Sequence, residues 1–333
     1  MLVETSPRQT DAILRAMRAV ATADGTEPGT DADRAALVAA AVYLFRREDP
    51  LDPASLDAIT PSELADAVSG DHALADHAAQ FLTVMATIDV AVDDAKIETV
   101  LRFSNALGLD EDYLRQLAAL AHGKLKWLLA DVQRQNLLSV TGRELDVSED
   151  AWILPYKAHA DPALATRYET LGKLRTGTLG HTFFDFYRQY GFPFPGKTDG
   201  VNQEFATPHD STHVLSGYDT SPQGELLVST FTAGMHPEEP MSGHILPVIM
   251  TWHMGVELIK FTGKFTGGLE PEKFWVAWSR GSEVTTDTFA RDWDFWHEVE
   301  RPLEDLRAEY HVPVLEPRHA ASGEVPDWYQ PVA

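Results

Sequence analysis

The apolar residues of this chain recur with the spacing of helices almost from end to end. From Asp11 to Ala21, Ile13, Leu14, Met17 and Val20 share one face. Ala35 to Phe45 is an alanine-rich helical stretch, and Ser55 to Val68 carries Ile59 and Leu64 with breaks at Pro53 and Pro61. His77–Val92 is one of the two richest apolar windows, and Leu114 to Leu138 reads as a single long helix offering Leu117, Leu120 and Leu128 for packing. Thr141 to Asp161 is polar and irregular, which places a domain boundary there. Beyond it, Ala163–Leu174 predicts a short helix, and aromatic Leu179–Tyr190 predicts one buried on most sides. Further helices are predicted over Ile245–Lys260, Pro271–Arg280 and Asp287–Glu298, and after Pro302 with Leu303, Leu306 and Tyr310 inward. No stretch sustains an alternation of period two, so the expected fold class is all-α. The expected order is a helical domain over 11–131, a linker over 132–162, a second helical domain over 163–315 and a poorly ordered tail over 316–333.

One stretch, Thr207 to Glu225 (TPHDSTHVLSGYDTSPQGE), concentrates metal-donor chemistry. Thr207-Pro208 reads as a helix start, with Asp210 where a capping-box acid would stand. His209, Asp210 and His213 then fall on one arc of that helix. Gly217 to Thr220 predicts a turn, and Ser221-Pro222 starts a second helix with Glu225 in its first turn. A tight hairpin would return Glu225 to Asp210 and His213. Two imidazoles and two carboxylates suit a divalent metal: zinc first, with iron(II) or manganese as alternatives. The plainer alternative makes Asp210 a cap, Glu225 a charge favourable to a helix N-terminus and the histidines surface residues.

The pattern H-D-x-x-H, eleven residues, then E, with His209, Asp210, His213 and Glu225 at its four positions, resembles the metal motif of the Coq-four family of ubiquinone (coenzyme Q) biosynthesis proteins. The resemblance extends through Leu171–Phe192 and Ala277–Val312, about the C-terminal half of the chain. It implies a prenylated aromatic or quinone as partner, and oxidative removal of a ring carboxylate with hydroxylation at the same carbon. It equally implies a non-catalytic scaffold for other quinone-biosynthesis enzymes, with a structural metal. If it is not a ligand, Asp210 is the residue expected to move a proton. The front half carries a weak repeat: Ala21-Thr22-Ala23-Asp24 is echoed by Ala86-Thr87-Ile88-Asp89, each after an apolar helix and before an acidic loop. From Asp11 to Asp131 this resembles the TerB-like (tellurite-resistance) helical domain, which implies Asp24, Asp89 and Asp93 as further metal candidates. Neither loop fits an EF-hand, and helix-capping acids fit as well.

Ile245–Lys260 is apolar on two faces, which fits either ordinary core or the wall of a lipophilic cavity. In the second case Leu246, Met250 and Trp252 would hold a prenyl tail. His253 and Glu257 share one face, as a metal pair or a satisfied core hydrogen bond.

Composition then narrows the classes. The 333 residues include 51 acids against 27 bases, a formal net charge of -24, so the surface repels nucleic acid and is not broadly attracted to anionic lipid. Without cysteine, any zinc must take N and O ligands. The N-terminus lacks the apolar core of a signal peptide, and no run spans a bilayer. The expectation is a cytoplasmic protein, at most peripheral to a membrane, and a homo-oligomer.

Overall fold

A computed structural model describes residues 4–142, 160–256 and 264–329. Among them the secondary structure is helical and no strand occurs, as the periodicity predicts. The chain runs through α1 (Pro7–Ala21), α2 (Asp31–Tyr43), α3 (Pro61–Ala67), α4 (His72–Ala86), α5 (Asp94–Leu107), α6 (Asp112–Ala121) and α7 (Leu125–Thr141). It continues with α8 (Pro162–Glu169), α9 (Leu179–Tyr190), α10 (Gln203–Ser216), α11 (Pro222–Met235) and α12 (Leu246–Trp252). Last come α13 (Pro271–Glu283), α14 (Phe295–Glu298) and α15 (Leu303–Glu309).

Contacts divide these residues into two compact units, each built from separate pieces of sequence. The front unit comprises 2–132 with 244–279, and the rear unit comprises 133–243 with 280–333. In the front unit α1, α3, α4 and α5 pack on one another, burying Ile13, Leu14, Met17 and Phe103 completely. Phe81 of α4 meets the edges of Trp275 and Trp278, 5.6 and 5.7 Å away, so the start of α13 belongs to this core. In the rear unit Tyr168, Phe183, Phe186, Tyr187 and Phe295 join Val214 and Leu215 in one aromatic-rich core.

The boundaries show where local chemistry overrides periodicity. The single helix expected over Leu114–Leu138 is two, because Gly123 takes a left-handed φ of +63° and Lys124 N–H returns to the Ala119 carbonyl. The helix expected over Ile245–Lys260 is shorter. A π-helical turn over Pro240–Ile245 precedes α12, which stops at Trp252 ahead of Gly255, whose φ is +71°. Only Phe295–Glu298 of the expected Asp287–Glu298 is α-helical, because Asp294 caps α14 at the Trp296 N–H and Asp287 turns its side chain back to the Phe289 N–H. The described part of the tail, through Tyr329, packs onto the rear unit. Trp328 meets the edge of Phe186, and the Tyr329 hydroxyl accepts the Leu315 N–H. Aromatic burial there outweighs the proline content that suggested disorder. Among the described residues no helix is long and apolar enough to cross a membrane.

Candidate metal centre

α10 begins earlier than its sequence suggests. Asn202, not Thr207, is the N-cap, accepting the Glu204 N–H at 3.0 Å, and Pro208 lies inside the helix. The Thr207 hydroxyl cannot cap because it is buried against the Tyr168 hydroxyl at 2.5 Å. Asp210 is therefore mid-helix rather than in a capping box, and its carboxylate accepts a hydrogen bond from Tyr187 of α9. The rest of the hairpin follows the sequence. Gly217 closes α10 with φ +88°, and Ser221 caps α11 with Pro222 in its first turn. Gly224 is required by closeness, since a Cβ there would stand 2.0 Å from the Asp219 carbonyl oxygen.

This hairpin gathers the four expected side chains. The Nε2 atoms of His209 and His213 lie 3.3 Å apart. Glu225 places one oxygen 3.3 Å from His209 Nε2 and the other 3.6 Å from His213 Nε2. Donor atoms of His209, Asp210 and His213 all fall within 4.8 Å of one another. With bonds of about 2.0–2.2 Å, tetrahedral donors stand ~3.3–3.6 Å apart and octahedral neighbours ~3 Å. The separations among His209, His213 and Glu225 match the tetrahedral edge, whereas Asp210 is placed only within 4.8 Å of the two histidines.

Hydrogen bonding orients the ligands. The Tyr218 carbonyl lies 2.8 Å from His213 Nδ1 and can only accept, so Nδ1 carries a proton and Nε2 is the ring nitrogen turned toward His209 and Glu225. Phe186 stacks on His213 and Phe205 on His209, with centroids 5.4 and 4.9 Å apart. Burial disfavours charge on His213, but the Glu225 carboxylate more than offsets it and raises the imidazole's pKa. Burial raises the Asp210 carboxyl, and the nearby histidines and the Tyr187 hydroxyl only partly oppose it. Burial also works against ionised Glu225, yet the two histidines hold its carboxyl far below the usual range. The His213 side chain is fully buried, whereas Glu225 is 24% exposed, so the centre opens on the Glu225 side.

Tyr187 and the Tyr218 carbonyl were not singled out by sequence reasoning. A tyrosine among the phenylalanines of α9 did carry a signal, since a buried hydroxyl seeks a partner. A backbone carbonyl carries none. Leu246 and Met250 are fully buried and Trp252 partly so, within the front unit rather than the unit that holds the metal donors. His253 is a satisfied core residue: its Nδ1 accepts the Leu269 N–H and its Nε2 donates to the Ile88 carbonyl. Glu257 lies outside the described residues. The front-unit acids have protein partners. Asp24 pairs with Arg102, Asp93 caps α5, and Asp89 lies 2.7 Å from Lys96 Nζ. Lys96 also binds both oxygens of buried Asp33, at 2.8 and 2.9 Å.

Compared with known protein families and with curated proteins, the chain matches none.

Proposed function

We propose that the chain is a metal-dependent enzyme acting on a lipophilic aromatic acid of the quinone-precursor type, with His209, His213, Glu225 and Asp210 around one zinc-sized ion. One observation carries this reading: three contacts of 3.3, 3.3 and 3.6 Å join the Nε2 atoms of two histidines and the Glu225 carboxylate, with no lysine or arginine among them. The resemblance of the motif and its flanks to the Coq-four family supports the substrate class. It also supports the reaction: the ring carboxylate leaves as carbon dioxide, one oxygen atom of dioxygen enters at the same carbon as a hydroxyl, and the other leaves as water with two electrons and two protons from an external reductant. A bound metal would supply Lewis acidity toward a substrate carboxylate or phenolate.

The chain's own residues supply the rest. Tyr218 fixes the His213 tautomer, Tyr187 holds Asp210, and the rings of Phe186 and Phe205 limit water around the imidazoles. Where Asp210 stays off the ion, its carboxyl, raised by burial, is suited to hold a proton and release it close to the donors. Exposure of Glu225 favours a catalytic centre over a closed structural one.

The test combines elemental analysis of the purified protein with turnover of a prenylated hydroxybenzoate. About one metal per chain is expected, lost in His213→Ala, and Asp210→Asn should lose turnover. A metal-replete protein with no turnover in either form would support the scaffold reading, and a metal-free protein with unchanged composition in His213→Ala would end the metal reading.

A further inference from the structure

The chain has a net charge of -24, yet His122–Ala130 (HGKLKWLLA) contains no acid. This stretch closes α6 and opens α7 in the front unit, beside a groove of about 820 Å³. Leu125 and Trp127 are each 45% exposed, and Lys124 and Lys126 beside them are exposed too. Neither lysine has an ion-pair partner among the described residues. Among the nearby acids Asp110 and Asp112 hold Arg115, and buried Asp131 accepts from Gln116 at 2.9 Å. Lys124 to Trp127 span about one helical turn. Two cations and two large apolar side chains therefore circle the end of α7 instead of lying on one side of it.

We propose that this helix end docks on an anionic membrane surface, with Trp127 and Leu125 entering the interfacial layer and Lys124 and Lys126 meeting the headgroup anions. A folded protein partner would press on one side of the helix. A fluid interface approached end-on engages all four residues at one depth, with lysine stems lying along apolar surface and their charges in water. The charge is complementary only locally, because the remainder of the chain is repelled by the same lipids. The contact is consequently weak, salt-sensitive and confined to this edge. It does not depend on the metal reading, but it would bring a protein with a lipophilic substrate to where that substrate dissolves.

The experiment is co-sedimentation of the full chain with phosphatidylcholine vesicles, with and without phosphatidylglycerol, at low and high salt. Sedimentation with the anionic vesicles alone, lost at high salt, is expected. Lys124→Glu combined with Lys126→Glu should weaken it by at least about tenfold, since each basic residue near such a surface contributes ~1 kcal/mol. Trp127→Ala should weaken it with the charges intact. Both variants should keep helicity and metal content, because all three positions are exposed. Absence of sedimentation with anionic vesicles would overturn the proposal, as would equal sedimentation of the charge-reversed protein. Self-association abolished by the same substitutions, without vesicle binding, would assign the surface to a second copy and also overturn it.

Discussion

Each unit of this protein gathers carboxylates into a tight cluster, and the two clusters are resolved in opposite ways. In the front unit Asp33 and Asp89 close on Lys96, whose ammonium makes contacts of 2.7–2.9 Å. The lysine stands where a cation would stand, and Thr30 adds its hydroxyl and N–H to Asp33. In the rear unit Glu225 and Asp210 close on two imidazoles whose Nε2 atoms face each other. No lysine or arginine is among those contacts, and two adjacent ring nitrogens require either a shared proton or a cation. An acidic cluster is therefore informative only through its counter-charge: where the chain supplies a lysine, the cluster is architecture, and where it supplies imidazoles instead, the cluster is the one proposed to bind an ion.

The largest expected effect breaks the front cluster. Lys96→Met keeps the bulk of the side chain but leaves Asp33, 1% exposed, without its counter-ion. Removing one partner of such a buried pair costs about 3–5 kcal/mol. Chemical denaturation should show that loss while metal content stays unchanged. A stability within about 1 kcal/mol of the parent would show that Thr30 alone satisfies Asp33, and a divalent ion that restores stability would erase the distinction between the clusters.

On the metal reading, chelation should act on the rear cluster alone. Adding zinc at about a hundredfold above its Kd should stabilise the protein by ~2.7 kcal/mol, and a chelator should reverse this. The thermal midpoint of Glu225→Ala should not respond to either reagent, whereas that of Lys96→Met should respond as the parent does.

Tyr187→Phe tests the support beneath Asp210 by removing one hydroxyl and leaving the ring in its stacks. Second-layer contacts of this kind contribute about 10–100-fold in metal affinity. A competition titration with a metal indicator should find the loss near the lower limit if Asp210 is one donor of the four proposed. An unchanged affinity would mean that Asp210 does not bind the ion.

Sequence reading succeeded where spacing determines geometry. His209, Asp210 and His213 had to share an arc of α10, and Gly217 with Ser221-Pro222 had to turn the chain back toward Glu225. It failed where a long-range partner decided the outcome. Thr207 and Pro208 look like a helix start, but Tyr168 takes the threonine hydroxyl and Asn202 caps the helix earlier. The tail looked loose because the partners of Trp328 and Tyr329 are remote in sequence. Asp89 was noticed for its loop, but nothing local to it announces Asp33, 56 residues earlier, or the lysine that joins them. The helical class itself was legible throughout, because period is a local property.

The smallest effect is a pH slope, and it separates the clusters by sign. For Lys96, burial opposes the charge, but the hydrogen bonds to Asp33 and Asp89 prevail and its pKa is raised. Its stabilisation is therefore complete below the ordinary lysine range of about 10.5, and it is lost only as pH rises beyond that through the folded value. Between pH ~6 and 9 the front cluster should contribute no slope. His213 is raised as well, with burial again outweighed by Glu225. In the metal-free protein its contribution is complete below the unfolded value of about 6.5 and fades as pH rises through the folded value, by at most ~1.4 kcal/mol per pH unit for one proton. Metal binding inverts the slope, because the ion competes with that proton for Nε2 and gains as pH rises. Denaturation of the metal-free protein from pH 6 to 9 should thus show falling stability, and the zinc-loaded protein should show rising stability over the same window. Lys96→Met should shift both curves down. Parallel curves for the metal-free and zinc-loaded proteins would mean that no ion displaces the His213 proton, and the contrast between the two clusters would then fail at its rear half.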